Sequence, residues 1–229
     1  MRTSLFTLVP LLALATGCAP SVDPALRAKI DGQIAAAAPH DTRYPAPTTR
    51  APMPLAAGQW TRIKRIDKDR RPSLLTYKVL GQEGDASWVE VVTEQYTGRT
   101  VLKMLVAFGD RTDVNKVEIR HVVLKQGDRA PLDYQQPLLG MVQGTFKGVA
   151  KGLVIRWEGL PQETKVVPAG TFTDAFKTDA EVSVYGFTSR GRTWSHSAVP
   201  IQGLVYAEND DGSTMDLLDF GMTGATSEM

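Results

Sequence analysis

The sequence predicts a mainly β (α+β) fold: a curved antiparallel sheet, or half-barrel, with one or two packed helices, following an N-terminal helix and a proline-rich tether. Three observations carry this. Stretches rich in Val, Thr, Tyr and Trp follow one another at short spacing from Gln59 onward. The connections between them, EGDA, TGR, GDRTD and QGDRAP, are short and rich in Gly and Asp, as antiparallel hairpins require. Within several stretches apolar residues recur at every second position, the period of a strand with one dry face.

Taken in order, the expected strands cover 59–67, 73–81, 87–96, 100–108 and 116–125, then 171–178, 182–188, 201–208 and 214–220. In 87–96, Trp88, Glu90, Val92, Glu94 and Tyr96 share one face, and Val89, Val91 and Thr93 the other. In the next strand Leu102, Met104, Val106 and Phe108 form one wholly apolar face. Asp211-Gly212 marks a hairpin turn before the last strand. Between the two groups of strands, Gly140, Gly144, Gly148 and Gly152 recur at intervals of four. A helix over 138–152 carries them on one face, with Val142 and Phe146 on others. Each interior Gly costs about 1 kcal/mol relative to Ala, so such a helix needs close packing. It serves either as a movable cover over the sheet's apolar side or as a fixed structural element.

The N-terminus reads as an export signal. Arg2 precedes an apolar run from Leu5 to Ala15, too short to span a bilayer but suited to a signal peptide. Ala15-Thr16-Gly17-Cys18 resembles a bacterial lipobox. The resemblance implies removal of residues 1–17 and lipidation of Cys18, with Ala19 in place of Asp resembling the outer-membrane sorting pattern. The expected location is the outer membrane, lipid-anchored and facing the periplasm, with the inner membrane left open. Cys18 is the single cysteine, so its consumption excludes disulfides, thiolate metal sites and a cysteine nucleophile. Without Arg2, the 26 basic residues fall by one to match the 25 acidic ones, and a neutral chain gives no electrostatic case for nucleic acid.

Residues 23–38 predict a short helix, with Asp23 as N-cap, Pro24 at the first position and Leu26, Ile30 and Ile34 as a narrow apolar stripe. Residues 39–58 hold five prolines, at 39, 45, 47, 52 and 54. Such a stretch acts as a semi-rigid spacer of about 3.1 Å per residue or drapes across the domain. The domain plan is therefore a signal peptide (1–17), a lipidated N-terminus with helix and linker (18–57), a β domain (58–221) and a flexible tail (222–229).

The search for chemistry finds no constellation. His40, His121 and His196 lack metal-ligand spacing, there is no nucleophile elbow, and no phosphate loop is present. No catalytic residue, metal or cofactor is therefore expected, and an uncharacterised hydrolase stands as a remote alternative. Glu208, Asp210 and Asp211 read as a turn. The run 62–71 has six basic residues against two acidic ones and reads as a solvated strand end and hairpin tip that is also able to touch anionic headgroups.

The order of elements resembles the periplasmic half-barrel proteins related to the Lol-type lipoprotein carriers and receptors. GQWTRI, WVEVV, VPAGTF, VPIQGLVYAE and MDLLDFG carry that resemblance over roughly 58–221. It implies an apolar cavity for lipid or acyl chains; in this chain the apolar face of Leu102, Met104, Val106 and Phe108, with Val142 and Phe146 of the glycine-faced helix, is the candidate lining. No ligand-binding residue of that group is transferred by motif. The implied function is a lipid-anchored module that holds or transfers an apolar ligand. The alternative is a non-enzymatic adaptor for an envelope protein partner.

Overall fold

Strand alternation from Trp60 onward produces the ladder that organises everything else. A computed structural model describes residues 21–37, 40–109, 116–134, 139–140 and 159–229 except 185–186, with side chains of 180–189 excluded. The elements are α1 (Pro24–Ala36), β1 (Arg43–Tyr44), β2 (Trp60–Ile66), β3 (Pro72–Glu83), β4 (Ala86–Gln95), β5 (Gly98–Phe108), β6 (Val117–Gln126) and β7 (Leu132–Tyr134). After these come β8 (Gln162–Val167), β9 (Gly170–Val184), β10 (Phe187–Ser195), β11 (Leu204–Asn209) and β12 (Thr214–Gly221). Their order in the sheet is β1-β9-β10-β11-β12-β2-β3-β4-β5-β6-β7, with β8 paired to β9. The fold is thus mainly β, with a curved, open sheet and one helix described in full.

The two expected groups of strands are joined through β12 and β2, whose ladder sets Leu217 opposite Ile63. The strands β2 to β6 follow the expected hairpin meander. Three details differ from the sequence reading. Strand β9 runs through the break expected near 179–181, and β10 starts only at Phe187. In the ladder Asp179 stands opposite Arg192, whose guanidinium pairs with Glu208. Strands β7 and β8 were not expected, being short and polar.

Bulges let single strands serve two faces. In β12 the register shifts between Leu217 and Asp219. Leu217 packs with Ile63, Phe172 and Val205, while its neighbour Leu218 packs with Ile30 of α1 and Leu74. That contact fixes α1, and Asp23 caps it as expected, its carboxylate accepting from the backbone N–H groups of Ala25 and Leu26 at 2.8 and 3.2 Å. The Lys29 ammonium reaches Glu94 at 2.5 Å, and the Tyr96 hydroxyl donates to Asp31 at 2.5 Å.

The proline-rich stretch drapes rather than extends. The His40 N–H donates to the Pro168 carbonyl, and the Thr171 N–H to that of Thr42. Tyr44 stacks on Phe172 with ring centroids 4.4 Å apart. Gly170, at φ +136°, is required at this crossing, since a β-carbon there would stand 2.5 Å from the Thr42 carbonyl oxygen.

The expected flexible tail, 222–229, is instead docked across β2, β3 and β4. Trp60 Nε1 donates to the Thr223 carbonyl, and the Ala225 N–H to that of Gly58. Beneath the tail lie Lys78 and Glu90, whose side chains are 10% and 0% exposed. Glu90 accepts from Ser227 Oγ at 2.8 Å and from the Glu228 N–H at 3.0 Å. Lys78 donates to the Thr226 carbonyl at 2.9 Å and to the Glu228 carboxylate at 2.5 Å. Arg99 closes the group by pairing with Glu228. Burial pulls the Lys78 ammonium below the usual lysine value, and Glu90 pulls it partly back. Substitution Glu90→Ala leaves Lys78 desolvated and frees the tail. It should lower unfolding stability by about 3 kcal/mol, near the low end for breaking a buried pair, in urea titrations. It should also make the C-terminus a carboxypeptidase substrate.

Candidate functional site

The sheet places Leu102, Met104 and Val106 within the β4–β5–β6 ladders and Phe108 at the end of β5, opposite Val117. Leu102 lies between Val91 and Leu124, Met104 between Val89 and Val122, and Val106 between Ser87 and Ile119. A bulge in β6, between the partners of Leu105 and Val106, accommodates Arg120 without breaking the ladder. Ile119 and Val122 both remain in the apolar cluster, while Arg120 and His121 carry the surface chemistry. The cluster joins Val91, Leu102, Met104, Val106, Val117, Ile119 and Val122 to Leu139.

Leu102 is 9% exposed, and Met104 and Val106 are fully buried. Phe108 is half-buried and reaches a second cluster of Val79, Val89 and Ile201. Leu139 and Gly140 are helical, and they head the glycine-spaced stretch. Val142 and Phe146, with the rest of that expected helix, lie outside the described residues. The structure therefore brings Leu102, Met104, Val106 and Phe108 together and closes them with Leu139.

One residue was missed by the sequence reading. Tyr77 of β3 packs against all three apolar clusters on this side of the sheet. Burial pushes its phenol pKa up, with Arg65 opposing the shift. Among the described residues its hydroxyl has no hydrogen-bond partner. The available signal was alternation, which puts Tyr77 in register with Leu75 and Val79.

Apart from the Lys78–Glu90 group under the tail, the described histidines and the acids of the β11–β12 turn lie at separate places. His121 sits in β6 as expected, its Nε2 2.7 Å from Asp133 and its ring 5.3 Å from that of Trp88. His196 is buried, with Nε2 3.0 Å from the Pro45 carbonyl oxygen, and desolvation lowers its pKa. His40 lies where the draped stretch meets Pro168. Glu208 to Gly212 end β11 and form the expected turn, where Asp211 accepts from the Ser213 N–H. Among the described residues no group of three His, Cys, Asp or Glu side chains is placed to hold a metal ion. No described helix is long and apolar enough to cross a membrane.

No protein-family model matches the chain, and no curated protein matches it. Among solved structures it is similar to the hypothetical protein CT021 from Chlamydia trachomatis, at 10% identity and a TM-score of 0.38. That match covers 75% of this chain and 90% of the other, and it carries no chemistry.

Removing the centre of the apolar cluster should be costly. Met104→Ala is expected to lower stability by about 2–4 kcal/mol through lost burial and a residual cavity. Tyr77→Phe should change stability by less than about 1 kcal/mol, because no described residue pairs with its hydroxyl. Urea denaturation of both variants checks the contrast.

Proposed function

We propose that the chain is a cell-envelope lipoprotein, anchored through lipid on Cys18, that holds or transfers a lipid or acyl chain. The ligand lies on the apolar face of Leu102, Met104, Val106 and Phe108, under the segment that begins at Leu139. The observation that supports this reading is the composition of that face. Apolar side chains from β4, β5 and β6 form one continuous lining, and half-buried Tyr77, Phe108, Leu124 and Tyr134 rim it. Tyr77 supplies the polar handle for a ligand head group.

A second reading, an adaptor for an envelope protein partner, draws on different residues. Among the described residues, strands β7 and β8 each pair on one side only, and they expose Leu132 at 58% and Val166 at 66%. Unpaired edges with exposed apolar side chains accept a partner strand.

Purification from native membranes followed by solvent extraction and mass spectrometry separates the two. The ligand reading expects about one apolar molecule per chain, lost in a Val106→Glu variant that remains folded by circular dichroism. Reproducible absence of extractable lipid overturns it. For the anchor, Cys18→Ser should move the protein from the membrane fraction to the soluble periplasmic fraction; unchanged membrane retention of mature-length protein would contradict it.

A further inference from the structure

We infer that the hairpin tips at one end of the sheet, led by the β2–β3 turn, lie against an anionic lipid surface, so that the sheet stands end-on to the membrane. This rests on the lipid-anchor reading for the tether, but the surface itself is argued from the fold. The Asp23 N–H donates to the Tyr96 carbonyl at 2.7 Å, which pins the start of α1 to the β4–β5 turn. The chain between Cys18 and Asp23 spans five residues, so the anchor cannot lie more than about 18 Å from that turn. Val22, half exposed, flanks the exit.

The register then decides which groups share this end. Ser73 pairs with Gln95, so the turn 67–71 stands beside Tyr96. Thr100 pairs with Gln126, and the Gly127 N–H bonds the Arg99 carbonyl, so the β6–β7 turn stands on the other side. The β2–β3 turn carries Lys68, Arg70 and Arg71, all exposed. Its two acids are occupied locally. Asp67 accepts from the N–H groups of Asp69 and Arg71, both at 2.8 Å, and Asp69 pairs with Lys68 and Arg71 at 3.8 and 3.6 Å.

Arg70 has no ion-pair partner among the described residues. Its backbone is held at φ +62°, a left-handed conformation unusual for a residue with a β-carbon. On the neighbouring turn exposed Arg129, beside exposed Asp128, is likewise without an ion pair among the described residues. The β11–β12 turn brings Asp210 and Asp211 to the far flank, and Asp211 is turned inward onto the Ser213 N–H. Arg70 and Arg129, the two of these cations without an ion pair among the described residues, lie at the end where the anchored chain emerges and complement anionic headgroups.

Two measurements test this. In the first, the Cys18→Ser full-length mature protein is sedimented with vesicles of phosphatidylglycerol and phosphatidylethanolamine, or of phosphatidylcholine alone. Binding to the anionic vesicles should weaken with salt and fall roughly tenfold or more in a Lys68→Glu/Arg70→Glu/Arg71→Glu variant. Equal binding to both vesicle types, or no loss in the variant, overturns the proposal. In the second, the lipidated protein carries a fluorophore on Thr97→Cys or on Gln82→Cys, about 33 Å further along the strands. Headgroup quenchers should dim the first label and spare the second; equal quenching overturns the end-on arrangement. Because neither measurement depends on a bound apolar ligand, a negative lipid extraction leaves this result standing. Conversely, loss of vesicle binding leaves the ligand reading untouched.

Discussion

A carboxylate with no solvent contact sits in the middle of an open sheet, and the arrangement of the surrounding segments follows from it. Glu90 alternates with Val89 and Val91, so the strand that buries those valines on one side must place Glu90 on the other. An ionised carboxylate in that position is strongly unfavourable unless it is paired and hydrogen-bonded. Lys78 from the adjacent strand supplies the charge, but it is itself desolvated. The remaining acceptor capacity of Glu90 is met by the Ser227 hydroxyl and the Glu228 N–H, and the remaining donors of Lys78 by Thr226 and Glu228. The last residues of the chain therefore complete a polar network that begins near residue 78. A sheet with both faces occupied thus uses ion pairing on one side where it uses apolar packing on the other.

The same logic explains why segments outside the strands are held so firmly. Open sheets expose whatever alternation leaves uncovered. Here α1 covers Leu74 and Leu218, the tail covers Lys78 and Glu90, and the draped stretch stacks Tyr44 on Phe172. Each cover begins at a structural irregularity. The β12 bulge exposes Leu218 to α1, Gly221 admits the Trp60 indole, and Gly170 admits the Thr42 carbonyl. Glycines and bulges are where one layer of chain approaches another too closely for a side chain.

How much of this is legible in the sequence depends on the range of the interaction. Strands β2 to β6 are readable because alternation and hairpin turns are local, and the capped helix is readable for the same reason. The face of Leu102, Met104, Val106 and Phe108 follows from a period of two within a single strand. What alternation cannot supply is the partner across the fold. The tail sequence MTGATSEM has no apolar pattern, and it docks largely through backbone groups, which any sequence presents. The strand is broken at 179–181 in the sequence reading because what continues it is the ladder with β10, which sets Asp179 opposite Arg192 thirteen positions away and which no local window contains. Tyr77 was passed over as one more strand aromatic, since only the meeting of three clusters sets it apart.

The draped proline-rich stretch also changes the geometry of any membrane attachment. A free spacer of that composition separates a domain from its anchor by several tens of ångströms at about 3.1 Å per residue. Here residues 40–58 are spent on the fold, and α1 is pinned by Leu218 and the Tyr96 carbonyl. What is left between Cys18 and the first fixed backbone group is a few residues. On the proposed lipid anchor, so short a leash would restrict orientation as well as distance. Prolines that look like a spacer thus act as a clamp, and α1 begins at the same end of the sheet as the β2–β3 turn, whose Arg70 has no ion pair among the described residues.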